Sequence, residues 1–320
     1  MTHVIRFLVL RLALLVAGLA VASVLIFAVL RVLPGDVAQT IAGSDATPAR
    51  VAALRASLHL DTPLPAQYAS WIGGLFRGNL GTSLTSGAPI GPELAQKLSV
   101  TLPLAGLSLL IGLAIALPLG VVAGLRHRHP GGTLLSAAAQ TVAAVPVVWA
   151  GLLLILVFST VLAVLPTSGF PLAGWGEPLD ALRALVLPAL TIGIVEGAVL
   201  LRFVRSGVLE ALDQDYVRTA AAKGMTPGRA LVRHGLPNVG LSIVSVLGLQ
   251  VAALIVGAVV VEQLFDLPGL GQMLVGDVDN RDLPAVQSEL LVMTGLILVA
   301  GVLVDVVHRL VDPRQRTADA

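Results

Sequence analysis

Two polar side chains interrupt long apolar stretches of this sequence, and they are the first candidates for chemistry. Glu196 lies near the middle of the stretch Leu182–Phe203, and Gln250 lies in the middle of Val239–Val261. An ionisable residue inside an apolar span costs several kcal/mol, so it usually faces a cavity or a partner. Two interpretations of Glu196 stay open: a polar lining of a path through the membrane that meets a substrate amino group, or a structural hydrogen bond to a second subunit. Gln250 is a weaker candidate for the same path.

The remaining residue types disfavour most catalytic chemistry. The chain has no cysteine, which excludes disulfides, thiolate metal sites and cysteine nucleophiles. Its six histidines lie outside or at the edges of the apolar stretches, and neither H-E-x-x-H nor G-x-S-x-G occurs. Its lysines, Lys97 and Lys223, are not part of a G-x-x-x-x-G-K-[ST] phosphate loop. We therefore predict no catalytic residue and no metal site, and we expect any ATP hydrolysis to occur on a separate chain.

Composition indicates that lipid surrounds the elements that carry these residues. Of 320 residues, 56% are hydrophobic and 12% are charged, whereas a soluble domain carries about 25% charged residues. A spanning helix needs about 20 mostly apolar residues. This rule predicts one all-α, polytopic transmembrane domain over residues 1–320. Its six spans are Leu8–Leu30, Thr101–Leu125, Leu134–Leu165, Leu182–Phe203, Val239–Val261 and Leu290–His308. We expect Pro146 to kink the third span.

Charge distribution predicts the orientation of the spans. The first apolar run is longer than the about 15 residues of a signal peptide, so we expect a retained anchor. Thirteen of the 20 basic residues fall on one predicted side, which marks that side as cytoplasmic. They are Arg6, Arg11, Arg126, Arg128, Arg202, Arg205, Arg218, Lys223, Arg229, Arg233, Arg309, Arg314 and Arg316. Both termini are then cytoplasmic. No basic stripe with interleaved aromatic residues suggests nucleic acid.

Three segments outside the spans are long enough to fold. Residues 31–100 are predicted to be external, and Thr47-Pro48 is typical of a helix start. Residues 262–289 are also predicted to be external, with solvated acidic residues. Residues 208–238 are predicted to be cytoplasmic and to form a helix, a tight turn and a second helix. The first external segment is interpreted as an ordered cap; it could instead help to dock a soluble partner or shape the outer mouth.

The predicted cytoplasmic segment contains residues that are typical of helix starts and helix ends. Three acidic residues, Glu210, Asp213 and Asp215, are expected at the front of its first helix, where the helix dipole favours negative charge. Gly224 is typical of a helix C-terminus. Thr226-Pro227 starts the second helix, which is expected to stop before Pro237. A smooth alanine face would admit the backbone of another protein, but an interfacial helix resting on lipid headgroups would have the same pattern.

These residues carry a resemblance to a known family. The stretch from Tyr216 to Gly224, followed after nine residues by His234-Gly235-Leu236-Pro237, resembles the signature of the coupling helix in ABC importer permeases. It departs from the general pattern at Arg218, Thr219 and His234, and the start of the stretch is similar to the dipeptide, oligopeptide and nickel branch. Further similarities to that branch lie at Leu33-Pro34-Gly35-Asp36, Leu60-Asp61-Thr62-Pro63-Leu64, Gly78-Asn79-Leu80-Gly81-Thr82-Ser83, Val260-Val261-Glu262, Pro268-Gly269-Leu270-Gly271 and Asn280-Arg281-Asp282. The long external segment is similar to the B-type permease subunit.

The resemblance implies a type I importer permease fold, an inner-membrane location and a set of partners. Those partners are a homologous permease subunit, two cytoplasmic ATPase subunits that use ATP and Mg²⁺, and an external substrate-binding protein. Ala220 is expected to face the ATPase. The residues implied in coupling are Tyr216, Arg218, Thr219, Ala220, Ala221, Ala222, Lys223, Gly224, Leu236 and Pro237.

The implied function is ATP-driven import of peptides by alternating access, without catalysis by this chain. Import of nickel or another small solute is an alternative within the family. A proton-coupled secondary transporter, with Glu196 as its proton site, is an alternative outside it; no inverted pair of similar halves supports that. An intramembrane hydrolase is disfavoured, because the sequence lacks a nucleophile with a base in reach.

Overall fold

A computed structural model describes residues 2–32, 37–42, 46–57 and 61–311. Within those ranges the chain forms helices joined by turns, and its β pairing is limited to an isolated bridge between Thr82 and Pro89. The predicted all-α fold class is confirmed for this part of the chain. The Leu33–Asp36 motif, Leu60, and the C-terminal Arg314 and Arg316 lie outside the described residues.

The helices follow one another with short connections. They are α1 (Thr2–Val32), α2 (Val37–Ala42), α3 (Pro48–Ser57), α4 (Leu64–Leu75), α5 (Ile90–Leu125), α6 (Pro130–Ala143), α7 (Val147–Leu154), α8 (Pro178–Asp213), α9 (Asp215–Ala222), α10 (Pro227–Ala230), α11 (Leu236–Leu264), α12 (Leu270–Asp279) and α13 (Leu283–Val311). Two π-helical segments, Ile155–Val161 and Leu231–Gly235, follow α7 and α10, and a 3-10 turn covers Gly174–Gly176.

Five helices in the described ranges are long and apolar enough to cross a membrane, and they correspond to five of the six predicted spans. The predicted third span is two helical segments, Pro130–Ala143 and Val147–Val161, bent by 101°. The break lies at Pro146, which lacks a backbone N–H and cannot continue the helical hydrogen bonds. The predicted kink is therefore confirmed, and the pair adds a sixth crossing if it counts as one broken span.

Two spanning helices are longer than their apolar cores. α5 and α8 each contain 36 residues, or about 54 Å at 1.5 Å per residue, whereas the hydrocarbon layer is about 30 Å thick. Hydropathy locates only the lipid-facing part of such a helix. The predicted spans Thr101–Leu125 and Leu182–Phe203 are thus the apolar parts of helices that continue beyond them.

Contacts divide the chain into two compact units, and the described residues of the first are 2–6, 102–267 and 299–311. Its centre is α8, which packs against α6, α7 and α11. α5 and α8 approach closely through glycines: a Cβ on Gly112 would lie 3.4 Å from the carbonyl oxygen of Gly193, and one on Gly197 would lie 3.0 Å from that of Gly112. Small residues allow this backbone contact in membrane helices, where packing rather than hydrophobicity drives association.

The second unit comprises Phe7–Thr101 and Pro268–Leu298. Within it, Asp282 caps the start of α13 by accepting a hydrogen bond from the Ala285 N–H at 3.3 Å. The same carboxylate accepts hydrogen bonds from the Ser83 hydroxyl at 2.6 Å and from the Thr85 N–H at 3.1 Å. The loop that precedes α5 is therefore fastened to the start of α13.

Three acidic residues of the segment 262–289 are buried, so the expectation that they are solvated is wrong for these three, whereas Asp266 and Asp279 are exposed as expected. Glu262, Asp282 and Glu289 each have 0% of their surface exposed. For Asp282 the reason is the loop that donates hydrogen bonds to it, which the linear sequence places about 200 positions away.

Candidate functional site

The predicted helix, turn and helix between residues 208 and 238 are present. α9 ends in a Schellman turn, in which the Met225 N–H donates to the Ala220 carbonyl at 3.2 Å. Gly224 occupies the left-handed position of that turn, with φ +90°. Thr226 starts α10, since its carbonyl accepts from the Ala230 N–H at 2.9 Å. The interpretation of Gly224 as the residue that ends the first helix is confirmed.

The boundaries of this segment differ from the prediction in two places. α8 extends to Asp213, so Glu210 and Asp213 belong to the end of that helix, and of the three acids only Asp215 lies in the first turn of α9. α10 does not stop before Pro237. It passes through the π-helical turn Leu231–Gly235 into α11, whose first turn contains Pro237. Residues 227–264 are thus continuously helical.

α9 and α10 pack on each other through a small apolar cluster. Val217, Ala220 and Ala230 are buried at its centre, with Tyr216 and Met225 packed against them. Ala220 is only 7% exposed, so the expectation that it faces a partner is wrong. Its position on α9 points its methyl group towards α10, where a larger side chain would separate the two helices.

The outer surface of the α9 turn is formed by other residues of the signature. Arg218, Thr219, Ala222, Lys223 and Gly224 are exposed. Arg218 pairs with Asp213 at 3.5 Å, and both side chains are exposed, so this ion pair contributes at most about 1 kcal/mol. The surface offers two basic side chains beside a glycine turn, and we call these five residues the α9 surface.

The two polar residues inside spanning helices are brought together. The Gln250 side-chain amide on α11 donates a hydrogen bond to the Glu196 carboxylate on α8. Gln250 is 7% exposed and Glu196 is half-buried. Their pairing was not predicted, because they are 54 positions apart and only the packing of α8 against α11 joins them. The hydrogen bond lies within this chain and joins α8 to α11.

The chain matches two family profiles that together cover nearly all of it. The profile described as "Binding-protein-dependent transport system inner membrane component" matches residues 116–317. The companion profile for the N-terminal part of the same membrane components matches residues 4–104.

Curated relatives are similar over nearly their full length. A probable peptide ABC transporter permease protein, y4tP, of Sinorhizobium fredii is 37% identical over 96% of this chain and 97% of its own. The dipeptide transport system permease protein DppB of Escherichia coli K12 is 34% identical over 98% of this chain and 99% of its own. A putative peptide transport system permease protein of Brucella abortus is 36% identical over 96% and 97%.

Proposed function

Because this chain belongs to the inner membrane components of binding-protein-dependent transport systems, we propose that it is the transmembrane permease subunit of an ATP-driven peptide importer. The observation that carries the proposal is the near full-length similarity to permeases named for peptides and dipeptides. The named relatives favour peptides over nickel. The chain lies in the inner membrane and is not itself an ATPase.

The partners we propose are a homologous permease subunit, two cytoplasmic ATPase subunits that bind ATP and Mg²⁺, and an external binding protein. The α9 surface would contact an ATPase subunit on the cytoplasmic side. Its exposure, its basic residues and its glycine turn support this assignment, because they permit close approach of another backbone and pairing with acidic side chains. Tyr216, Ala220 and Ala221 would shape α9, and Leu236 and Pro237 would join the segment to the membrane.

Continuous helix from Pro227 to Leu264 offers a direct route for coupling. From Leu236 to Gln250 the rise along α11 is about 21 Å at 1.5 Å per residue. A displacement of α10 would therefore be delivered to the side chain that bonds Glu196. The π-helical turn Leu231–Gly235 lies between α10 and α11 in this helical stretch, and such turns are frequent at functional sites.

Glu196 and Gln250 are our candidates for a polar lining of the translocation path. The pair gives a membrane-embedded carboxylate a hydrogen-bond donor, which lowers the cost of placing it there. Closure of the ATPase pair would move α10 and α11 and shift the permease between inward-open and outward-open states. Such a switch requires that ATP bind one state better than the other.

Uptake into proteoliposomes tests this function. The chain is reconstituted with the subunits that co-purify with it and with its binding protein, and is offered a mixed peptide library plus nickel. Accumulation of peptides that requires ATP is the expected result. Accumulation of metal alone would move the assignment to the nickel branch, and uptake that needs a proton gradient but no ATP would favour a secondary transporter.

Two matched variants test the α9 surface. Ala222→Glu adds a carboxylate to the exposed surface, and we expect it to reduce co-purification of the ATPase while leaving thermal stability unchanged. Ala220→Glu places the same group in the cluster beneath, and we expect it to lower thermal stability first. Normal ATPase binding by Ala222→Glu would place the partner elsewhere.

Replacing Glu196 with Gln tests the path. The amide keeps the size of the side chain and can still bond Gln250, but it removes the negative charge. We expect slower uptake of peptides with a free amino terminus and smaller changes for amino-blocked peptides. Unchanged uptake of every peptide would show that Glu196 is structural.

A further inference from the structure

In the second unit, in the region predicted to be external, the carboxyl group of Glu289 interacts electrostatically with three other carboxyl groups. Glu289 lies in the second turn of α13 and interacts with Asp277 on α12, with Asp282 and with Glu93 on α5. Lys97 lies on α5 four residues after Glu93 and interacts with Asp277. Among the described residues that interact with Glu289 and Asp277, acidic side chains therefore outnumber basic ones.

Asp282 is the member whose oxygens are supplied with hydrogen-bond donors. Its two oxygens accept three hydrogen bonds, from the Ser83 hydroxyl and from the backbone N–H groups of Thr85 and Ala285, at 2.6, 3.1 and 3.3 Å. Asp282 is therefore a hydrogen-bond acceptor whose donors come from the loop before α5 and from the start of α13.

The surroundings of Glu289 differ from those of Asp282. Its side chain is 0% exposed, and within the described ranges neither of its oxygens has a hydrogen-bond donor. The group at hydrogen-bonding range is the carboxyl of Asp277, which as an anion is a second acceptor. A buried carboxylate without a donor is costly, and such a group keeps its proton instead. A proton on one of the two carboxyls would supply the missing donor.

We propose that Glu289 and Asp277 share one bound proton, which links α12 to the start of α13. The ligand is a proton rather than a metal ion, since the described residues contain no group of three or more acidic, histidine or cysteine side chains placed to hold a metal. Burial raises the pKa of Asp277 and the charge of Asp282 adds to this, against the opposing effects of Glu289 and Lys97. The link does not depend on which solute is carried.

The proton makes the stability of this region depend on pH with a definite sign. The unfolded chain releases a glutamic acid proton above about pH 4.3, whereas the folded chain retains the shared one. Stability is therefore largest below that pH and falls as the pH rises, until the pair also ionises in the folded state. Within that window, one retained proton changes the ratio of unfolded to folded chain about tenfold per pH unit.

Unfolding of the full-length chain in lipid nanodiscs tests the proposal without any transport assay. Wild type, Glu289→Gln and the control Asp279→Asn are compared at about pH 6, 7.5 and 9, with hydrogen exchange of α12 amides as a second readout. Gln cannot ionise, and its amide can donate to Asp277. In wild type and Asp279→Asn we expect the ratio of unfolded to folded chain to rise with pH, and the α12 amides to lose protection. In Glu289→Gln we expect that ratio to rise about tenfold less per pH unit.

Parallel pH profiles for wild type and Glu289→Gln would overturn the proposal. If Glu289→Gln does not fold, Asp277→Asn gives the same test, because its amide supplies the donor that the proton otherwise provides. Loss of the extra pH dependence in Asp277→Asn supports a shared proton. Full retention of that dependence in Asp277→Asn would show that no proton is shared with Asp277.

Discussion

Substitutions of Gly224 distinguish two effects of a side chain in the α9 turn: its conformational cost in this chain, and its collision with a bound partner. Gly224 has φ +90°, and a Cβ built on it meets no atom within 4 Å in the described part of the chain. The free-energy cost of a side chain there is therefore conformational, about 1–2 kcal/mol for an L-residue in a left-handed position. That conformational cost is nearly the same for Ala and for Leu, because both carry a Cβ and Gly224 lies at an exposed position.

If a partner packs against the turn, Leu at position 224 will be more harmful than Ala, because the larger side chain collides with the partner. We expect Gly224→Asn to behave nearly as wild type, because Asn tolerates the left-handed region. Gly224→Ala should lower the population of the intact turn by about tenfold, the equivalent of about 1.4 kcal/mol. Gly224→Leu should match Ala in the thermal stability of the isolated chain, yet lose far more ATP-driven uptake in the assembled complex.

The assay is uptake and ATP hydrolysis measured on the same proteoliposomes, with thermal unfolding of the purified chain as the control. Hydrolysis that continues in Gly224→Leu while uptake stops would identify the turn as a coupling element. Equal uptake by the Ala and Leu variants would refute the reasoning, because it would show that no partner approaches Gly224.

Two further predictions concern the packing of each unit. Gly120→Val would place its Cβ 2.6 Å from the Cβ of Val204, and we expect a loss of about 1–3 kcal/mol in unfolding free energy. A Cβ at Gly106 on the same helix meets no described atom within 4 Å, and we expect Gly106→Val to be tolerated. Asp282→Ala leaves the donors of the loop and of the α13 start without their acceptor, and we expect a loss of about 2–4 kcal/mol with faster proteolysis of that loop. Asp279→Ala, at an exposed position, should change stability by less than about 0.5 kcal/mol. Equal stability within either pair of variants would contradict the packing described here.

Local features of the fold could be predicted because they depend on neighbouring residues. Apolar runs long enough to span a membrane predicted the spanning helices, and Pro146 predicted the break in the third span. Gly224 and Thr226-Pro227 gave the turn between α9 and α10. The ends of α5 and α8 could not be predicted in this way, because hydropathy records contact with lipid and both helices continue beyond it.

Residue roles that depend on distant contacts could not be predicted. Ala220 is part of the coupling signature, but its burial against Ala230 follows from the angle at which α9 and α10 meet. Glu196 and Gln250 were each recognised as polar residues inside spans, yet nothing in the sequence states that they bond each other. The buried acids of residues 262–289 were expected to be solvated, since the loop that covers Asp282 is remote in sequence.

The class of this protein, its spans and its likeness to a family of membrane components can be recognised from the amino-acid sequence, because composition and periodicity are properties of the chain alone. Tertiary structure decided which polar groups are satisfied and which are not. Asp282 has three donors and Glu289 has none among the described residues, although the two lie seven positions apart. Their difference arises from what packs against each carboxyl, which is a property of the folded chain and not of the neighbouring residues in sequence.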